Sequence, residues 1–428
     1  MQNLKTPKLH GILCKIAKLQ ICTIGTLSSK AVDMINAVFT RPLVDTIVAR
    51  IKEPRRFIQI VTGPRQTGKT TAILQAIEQL NCTYTYFSFD DEKSVSVDTL
   101  RSLWHQARDS IETDNEHLLV LDEVQRIEQW STVVKALWDE DARTGCELKV
   151  IISGSSPLLL QKGLKESLVG RFELIRSPHW SFWECQQAFG YSLEDYLYFG
   201  GYPGAAALRE DEFRWSNYMR EAIIEPTMTK DVLLMQEVRK PAVLMELFYL
   251  GAAYSAQEVS YRKILGQLQD AGNTETVANY LTLLENAGVL KGVYKYDDKL
   301  IKTRSSSPRF LVYDTSLLTV ARSRSREELL SGEMRGHVVE SAIGAYLQAR
   351  SLSEGFELYW WRDGKNEVDF VLRAGLKRTA IEVKSGRIKG RNGLRAFVER
   401  YPGSYALTVG GSDSSIEDFL LGKIAFFQ

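Results

Sequence analysis

The sequence predicts an α/β protein whose first large domain is built around a parallel β-sheet. Short apolar runs rich in β-branched residues alternate with longer segments of helical periodicity. A glycine-rich loop joins the first of these runs to a helix, and a pair of acidic residues ends a later run. Parallel sheets bind ligands at the carboxyl ends of their strands, so we expect a binding site at this edge.

Length and composition exclude several classes of protein. A chain of 428 residues is long enough for about three domains. Its net charge of +1 means that any nucleic-acid site must come from local clusters of basic residues. The five cysteines include no C-x-x-C pair, which argues against a disulfide framework or zinc site and favours the cytoplasm. No apolar run approaches the roughly 18 residues of a membrane span, so we expect no membrane partner.

Residues 1–33 lack the turn and capping signals found in the rest of the chain. Lysines are mixed there with apolar residues without periodic order. We hypothesise that Met34 is the native start, and that 1–33 is an extension that is either not native or disordered. The alternative is a short amphipathic helix that binds a partner.

The organising motif follows the predicted strand Phe57–Val61 and precedes the predicted helix Thr71–Leu80. Its pattern is G-x-x-x-x-G-K-T, a phosphate-binding P-loop, and its residues are Gly63, Pro64, Arg65, Gln66, Thr67, Gly68, Lys69 and Thr70. The loop and the helix N-terminus would direct backbone N–H groups at an anion. We expect these residues and Thr71 to bind ATP, with Lys69 on the β- and γ-phosphates and Thr70 on Mg²⁺.

Acidic residues end the predicted strand Leu118–Leu121. Asp122 is expected to hold Mg²⁺, and Glu123 is a candidate base that orients the attacking water. The alternative is an ordinary acidic turn.

Two further residues are candidates for the ATP site. Ser155 follows the predicted strand Leu148–Ile152 and is expected to sense the γ-phosphate, the alternative being a simple turn serine. Arg171 is placed to act as an arginine finger in a neighbouring subunit. The alternative for Arg171 is a surface or salt-bridge arginine.

After the ATPase core (34–177), two smaller segments are predicted. Residues 178–240 read as a helical lid with a glycine pair, Gly200-Gly201, ending one of its helices. Residues 241–310 read as a winged helix, with three helices and a β-hairpin formed by Val289–Tyr296 and Leu300–Thr303. Basic residues line this hairpin and suggest DNA binding, namely Lys291, Lys295, Lys299, Lys302, Arg304 and Arg309. The alternative is a structural or dimerising winged helix.

The C-terminal domain (311–428) combines a helix with several strands. Side chains alternate along strands, so Asp369, Glu382 and Lys384 are expected to converge at one sheet edge, near Glu340 on the preceding helix. Three carboxylates and a lysine suit Mg²⁺-dependent phosphodiester cleavage. The alternatives are surface ion pairs or a decayed nuclease.

These motifs together resemble the prokaryotic AAA-like P-loop ATPases that carry a C-terminal domain of unknown function. The resemblance is carried by the P-loop, Asp122-Glu123, Gly154-Ser155-Ser156, Gly170-Arg171 and Gly200-Gly201-Tyr202-Pro203, in that order. The C-terminal domain is similar to restriction-endonuclease-like nucleases, most of all Holliday junction resolvases. Val368 stands where those nucleases have a proline before the central acid.

The resemblance implies an ATP-hydrolysing ATPase that acts on duplex or branched DNA as a motor or remodeller in repair, recombination or defence against mobile elements. It further implies a homo-oligomer, of which a hexameric ring is one form. The alternatives are a nucleotide-operated switch or scaffold that binds proteins, and an ATP-regulated Mg²⁺-dependent endonuclease.

Overall fold

The computed structural model describes residues 23–24, 39–90, 96–114, 116–154, 167–233, 238–268, 273–298, 308–385 and 392–427. Ser155 and almost all of the predicted extension 1–33 lie outside these ranges. The chain divides into two compact units, Met1–Pro178 and His179–Gln428. Within the described ranges, no helix has the length and apolar character needed to span a bilayer.

The N-terminal unit contains a six-stranded sheet in the part of the chain that is described. Its strands are β1 (Thr23–Ile24), β2 (Ile58–Thr62), β3 (Thr83–Ser88), β4 (His117–Asp122), β5 (Lys149–Gly154) and β6 (Phe172–Arg176). Their spatial order is β1-β3-β4-β5-β2-β6, and β2 to β6 are all parallel, whereas β1 is antiparallel to β3. The predicted parallel α/β sheet is therefore confirmed.

Helices cover both faces of this sheet. They are α1 (Pro42–Lys52), α2 (Lys69–Leu80), α3 (Val97–Asp114) and α4 (Trp130–Thr144). Side chains alternate along each strand, so Leu119 and Leu121 pack with Trp104 of α3 in one core, while Leu118 and Val120 join α1 and α2 in the other. Because both faces are covered, β2, β4 and β5 are buried along almost their whole length.

The C-terminal unit begins with helices and a two-stranded antiparallel sheet. The helices are α5 (Phe182–Phe189), α6 (Leu193–Phe199), α7 (Glu212–Tyr218), α8 (Pro241–Ala253), α9 (Tyr261–Leu265) and α10 (Thr274–Asn286), and the strands are β7 (Leu290–Val293) and β8 (Arg309–Val312). After them come α11 (Thr315–Arg322), α12 (Arg326–Leu329) and α13 (Gly332–Glu354). A four-stranded sheet follows, with β9 (Glu357–Asp363), β10 (Asn366–Ala374), β11 (Lys377–Val383) and β12 (Tyr405–Val409), together with α14 (Asn392–Arg400) and α15 (Ile416–Leu420).

The strand that pairs with β7 differs from the predicted one. The predicted second strand, Leu300–Thr303, lies outside the described residues, and β7 pairs with β8, in the register Leu290 to Val312. The physical reason is burial, since Phe310, Leu311 and Val312 are all in the core. β8 therefore crosses the predicted domain boundary at residue 310.

The segment after β7 joins the sheet of the C-terminal domain. Tyr296 N donates to Trp360 O (2.6 Å), and Trp360 N donates to Tyr294 O (3.1 Å), so this segment lies along β9. The Tyr296 ring packs into a buried cluster with Trp361 and Phe397. The C-terminal sheet is thus completed by residues from the predicted winged helix.

The predicted lid helices pack with α11 in the same unit. Gly201 N donates to Asp314 Oδ2 (2.7 Å), and Thr315 Oγ1 donates to Tyr196 O (3.0 Å). A Cβ on Gly200 would lie 1.9 Å from Asp314 Oδ1, so the glycine allows the two segments to approach.

Candidate functional site

The P-loop connects β2 to α2 at the carboxyl edge of the parallel sheet. Gly68 adopts a left-handed conformation (φ 84°), and α2 begins at the next residue, Lys69. The N–H groups of the first helical turn have no acceptor within the helix, and the helix dipole makes this end partly positive. The arrangement suits an anion such as a phosphate.

Lys69 is buried and turned into the loop. Its Nζ donates to Gly63 O (2.9 Å) and Pro64 O (2.7 Å). Since the ammonium carries three donors, a phosphate oxygen can join or replace these carbonyl acceptors without leaving the charge unpaired. Lys69 is therefore positioned for the predicted phosphate contact.

Asp122 lies next to the P-loop at the end of β4. Thr70 Oγ1 donates to Asp122 Oδ2 (2.9 Å) although 52 residues separate them. Tyr86 OH donates to the same oxygen (2.9 Å), and Ser153 Oγ donates to Oδ1. The hydroxyl and carboxylate oxygens that meet here are hard ligands, so the residues present fit the predicted Mg²⁺.

Glu123 follows Asp122 with an unusual backbone conformation (φ 56°). Gln125 Nε2 donates to its carboxylate. Burial raises the pKa of Glu123, and the negative charge of Asp122 raises it further, whereas Lys69 and Arg65 act in the opposite direction. A carboxylate with a raised pKa is the stronger base, which suits the predicted role in orienting water.

Arg41 holds the P-loop by a hydrogen bond to its backbone, and it is not among the residues that the motifs single out. It is only 4% exposed, and its guanidinium donates to Thr67 O (2.9 Å), Ser177 Oγ (3.2 Å) and Pro178 O (3.2 Å). A Cβ on Gly63 would lie 2.0 Å from Ser177 O, so the loop packs tightly on the same segment. An arginine before a helical proline gives no signal of this role in the sequence.

Arg171 is held by an acidic residue of its own unit. Its Nε and Nη2 donate to Asp139 Oδ1 (2.6 Å) and Oδ2 (2.9 Å). The Arg171 hydrogen bond lowers the pKa of Asp139. Both side chains are partly exposed, so the pair lies at the surface of the N-terminal unit.

The four predicted nuclease-like residues converge in the C-terminal unit. Asp369 on β10 accepts a bond from Val383 N (2.8 Å), and Lys384 donates to Glu382 on β11. Burial and then the charge of Asp369 raise the pKa of Glu340 to about 8. Glu340 and Asp369 therefore interact electrostatically within this cluster.

The charged groups around these carboxylates include cations of the protein itself. Among the described residues, no group of three or more His, Cys, Asp or Glu side chains is placed to hold a metal ion. Arg309, expected on the DNA-binding surface, is 4% exposed and forms an ion pair with Glu367 while lying near Asp369.

Comparison with known proteins matches the chain in three consecutive regions. Residues 55–186 match the AAA domain family. Residues 190–328 and 335–421 match two domains of unknown function, DUF8612 and DUF4143. This part of the chain is thus similar to an AAA-like P-loop domain. Together with the parallel sheet and the P-loop geometry, this match supports a nucleotide-binding ATPase.

The similar curated proteins are themselves uncharacterized. One from Haemophilus influenzae is 23% identical over 74% of this chain and 80% of its own length. One from Mycobacterium tuberculosis is 27% identical over 76% and 70%, and one from Methanocaldococcus jannaschii is 24% identical over 84% and 82%. AMPPCP-bound DnaA from Aquifex aeolicus is similar to 58% of this chain over 89% of its own, with 16% identity and a TM-score of 0.30, too low to bear on function.

Proposed function

We propose that the protein binds Mg²⁺–ATP and hydrolyses it to ADP and phosphate. The observation that carries this proposal is the hydrogen bond between Thr70 and Asp122, which joins the P-loop to the acidic end of β4. A P-loop threonine and a strand-end aspartate are the pair that holds Mg²⁺ in P-loop ATPases.

Each residue then has a distinct role. Lys69 and the loop N–H groups bind the phosphates, and Thr70 and Asp122 hold Mg²⁺, which neutralises charge on the phosphates when it is bound. Glu123 orients water and accepts its proton. Ser155 contacts the γ-phosphate, a role that is supported by its position in the sequence after the predicted strand Leu148–Ile152.

Arg171 completes the site of a neighbouring copy in an oligomeric ATPase. To reach a phosphate it must exchange the Asp139 carboxylate for a phosphate oxygen, and both anions accept bidentate bonds from a guanidinium. The partial exposure of the pair supports this exchange, because exposed ion pairs contribute only about 0–1 kcal/mol.

Phosphate release and nucleotide binding test the site. We expect Lys69→Ala to lose ATP binding and Glu123→Gln to retain it while turnover falls by about 10² to 10⁴. Glu128→Gln, a change at an exposed acid on the same loop, is the matched control and should leave both unchanged. Equal turnover in Glu123→Gln and Glu128→Gln would refute the role of Glu123.

We propose further that the C-terminal unit binds DNA and couples it to ATP turnover, as in a motor or remodeller. Support comes from α8, α9 and α10 followed by the β7–β8 sheet, since three helices and a hairpin are the parts of a winged helix. Arg262 and Lys263 are exposed on α9 and available for phosphate contacts. The test compares ATP turnover with linear, forked and four-way DNA, in the wild type and an Arg262→Ala/Lys263→Ala variant.

A nucleotide-operated switch that binds protein is the second candidate. It is favoured by the state of two expected DNA contacts, since Lys291 pairs with Glu285 (3.1 Å) and Arg309 is buried. Slow turnover that none of the three DNAs changes would support this candidate over the motor.

A further inference from the structure

An arginine from outside the four-stranded sheet lies in the cluster of Glu340, Asp369 and Glu382. Arg309 belongs to β8, and its Nη1 lies 3.5 Å from Asp369 O and 3.8 Å from Asp369 Oδ1. Its Nη2 forms an ion pair with Glu367, and its guanidinium lies over the Trp360 ring (4.8 Å). The charge is thus held on one side by carboxylates and on another by an aromatic face.

We propose that Arg309 is a built-in cation that neutralises this acidic cluster and closes it to divalent metal ions. The C-terminal unit then resembles a metal-dependent nuclease in sequence without binding the metal.

The charges around the cluster support this assignment. Arg309 and Lys384 both act on Glu340 as positive neighbours. Lys384 also occupies one oxygen of Glu382, while Val383 N occupies one oxygen of Asp369. A divalent ion entering here would be repelled by two fixed positive charges and would have to displace protein donors.

One carboxylate oxygen shows why the cluster still resembles a metal site. Glu382 Oε2 is buried and has no hydrogen-bond partner among the described residues. A buried unpaired oxygen normally costs free energy, so it marks the place where a cation would bind if repulsion were removed. The same oxygen therefore provides a test of the proposal.

The experiment measures Mn²⁺ binding to the full chain by electron paramagnetic resonance. All proteins carry Asp122→Asn, which removes the Mg²⁺ ligand of the ATP site. We expect no binding at up to about 1 mM Mn²⁺ with Arg309 present, and at least tenfold tighter binding in Arg309→Met, lost again when Glu382→Gln is added. Arg362→Met is the matched control, because Arg362 also pairs with Glu367 yet is 40% exposed and leaves Arg309 in place.

Two results would overturn the proposal. One is a folded Arg309→Met protein that gains no Mn²⁺ binding. The other is Mn²⁺ binding to the Asp122→Asn protein with Arg309 unchanged, if adding Glu382→Gln abolishes that binding. This second measurement decides the question even if Arg309→Met fails to fold. If the protein did not hydrolyse ATP, both Mn²⁺-binding results could still be measured, because neither depends on the ATP site.

Discussion

Arg41 provides the sharpest test of how the nucleotide loop is held. Replacing it by methionine keeps much of the side-chain volume and removes the guanidinium that bonds to Thr67 O, Ser177 Oγ and Pro178 O. Of these three bonds, the one to Thr67 fixes the P-loop itself. A hydrogen bond to a charged group contributes about 1.5–3 kcal/mol, and a tenfold change in affinity corresponds to about 1.4 kcal/mol. We therefore expect ATP to bind roughly tenfold or more weakly to Arg41→Met.

The measurement is a titration with a fluorescent ATP analogue, together with thermal unfolding in the presence and absence of Mg²⁺–ATP. Arg50→Met is the matched control, since Arg50 lies on α1 and forms ion pairs with Glu53 and Glu173 at the surface. Such pairs contribute little, so this variant should bind ATP normally. Arg41→Lys should recover part of the affinity because it keeps a cation beside Thr67 O.

Equal ATP binding by Arg41→Met and Arg50→Met would refute this role of Arg41. So would an Arg41→Met protein with lower thermal stability but the same stabilisation by Mg²⁺–ATP as the wild type. In that case the arginine would support the fold and not the loop conformation.

Three further predictions concern other parts of the chain. Burial raises the pKa of Asp314 to about 6, so the folded state binds its proton more tightly than the unfolded state. The free energy of unfolding should therefore fall by about 3 kcal/mol as pH rises from 4 through 6. Urea unfolding of Asp314→Asn should show no such pH dependence. Gly63→Ala places a Cβ 2.0 Å from Ser177 O, which should abolish ATP binding or soluble expression, measured by nucleotide titration and yield. Arg171→Ala should reduce turnover by about 10³ or more with ATP binding intact, as measured by phosphate release across protein concentrations; unchanged turnover would leave Arg171 as a surface partner of Asp139.

The pairing of the P-loop with Asp122 could be predicted from the sequence because its signals are local. The P-loop motif occupies a few consecutive residues, and Asp122 ends a buried strand that the apolar run before it predicts. Both motifs lie at the carboxyl edge of the sheet, where Thr70 and Asp122 form a hydrogen bond.

Other features depend on contacts between distant residues. Arg41 reaches Thr67 across 26 positions and Pro178 across 137, and no periodicity encodes either contact. Arg309 reads as one more basic residue in a basic stretch, and only the packing of β8 against the C-terminal sheet shows that it is buried. Gly201 meets Asp314 over 113 positions, which ties the predicted lid to α11.

The strand-like pairing of Tyr294–Tyr296 with Trp360 bears on how the C-terminal half can be divided. A fragment starting at residue 335, where one matched region begins, would retain β9 to β12 but lack Tyr296. Losing a buried aromatic ring of this kind costs about 3–5 kcal/mol, and β9 would also present a bare edge to other chains. The two regions of unknown function share a hydrophobic core. An assay of either region alone would therefore measure a protein whose core is incomplete.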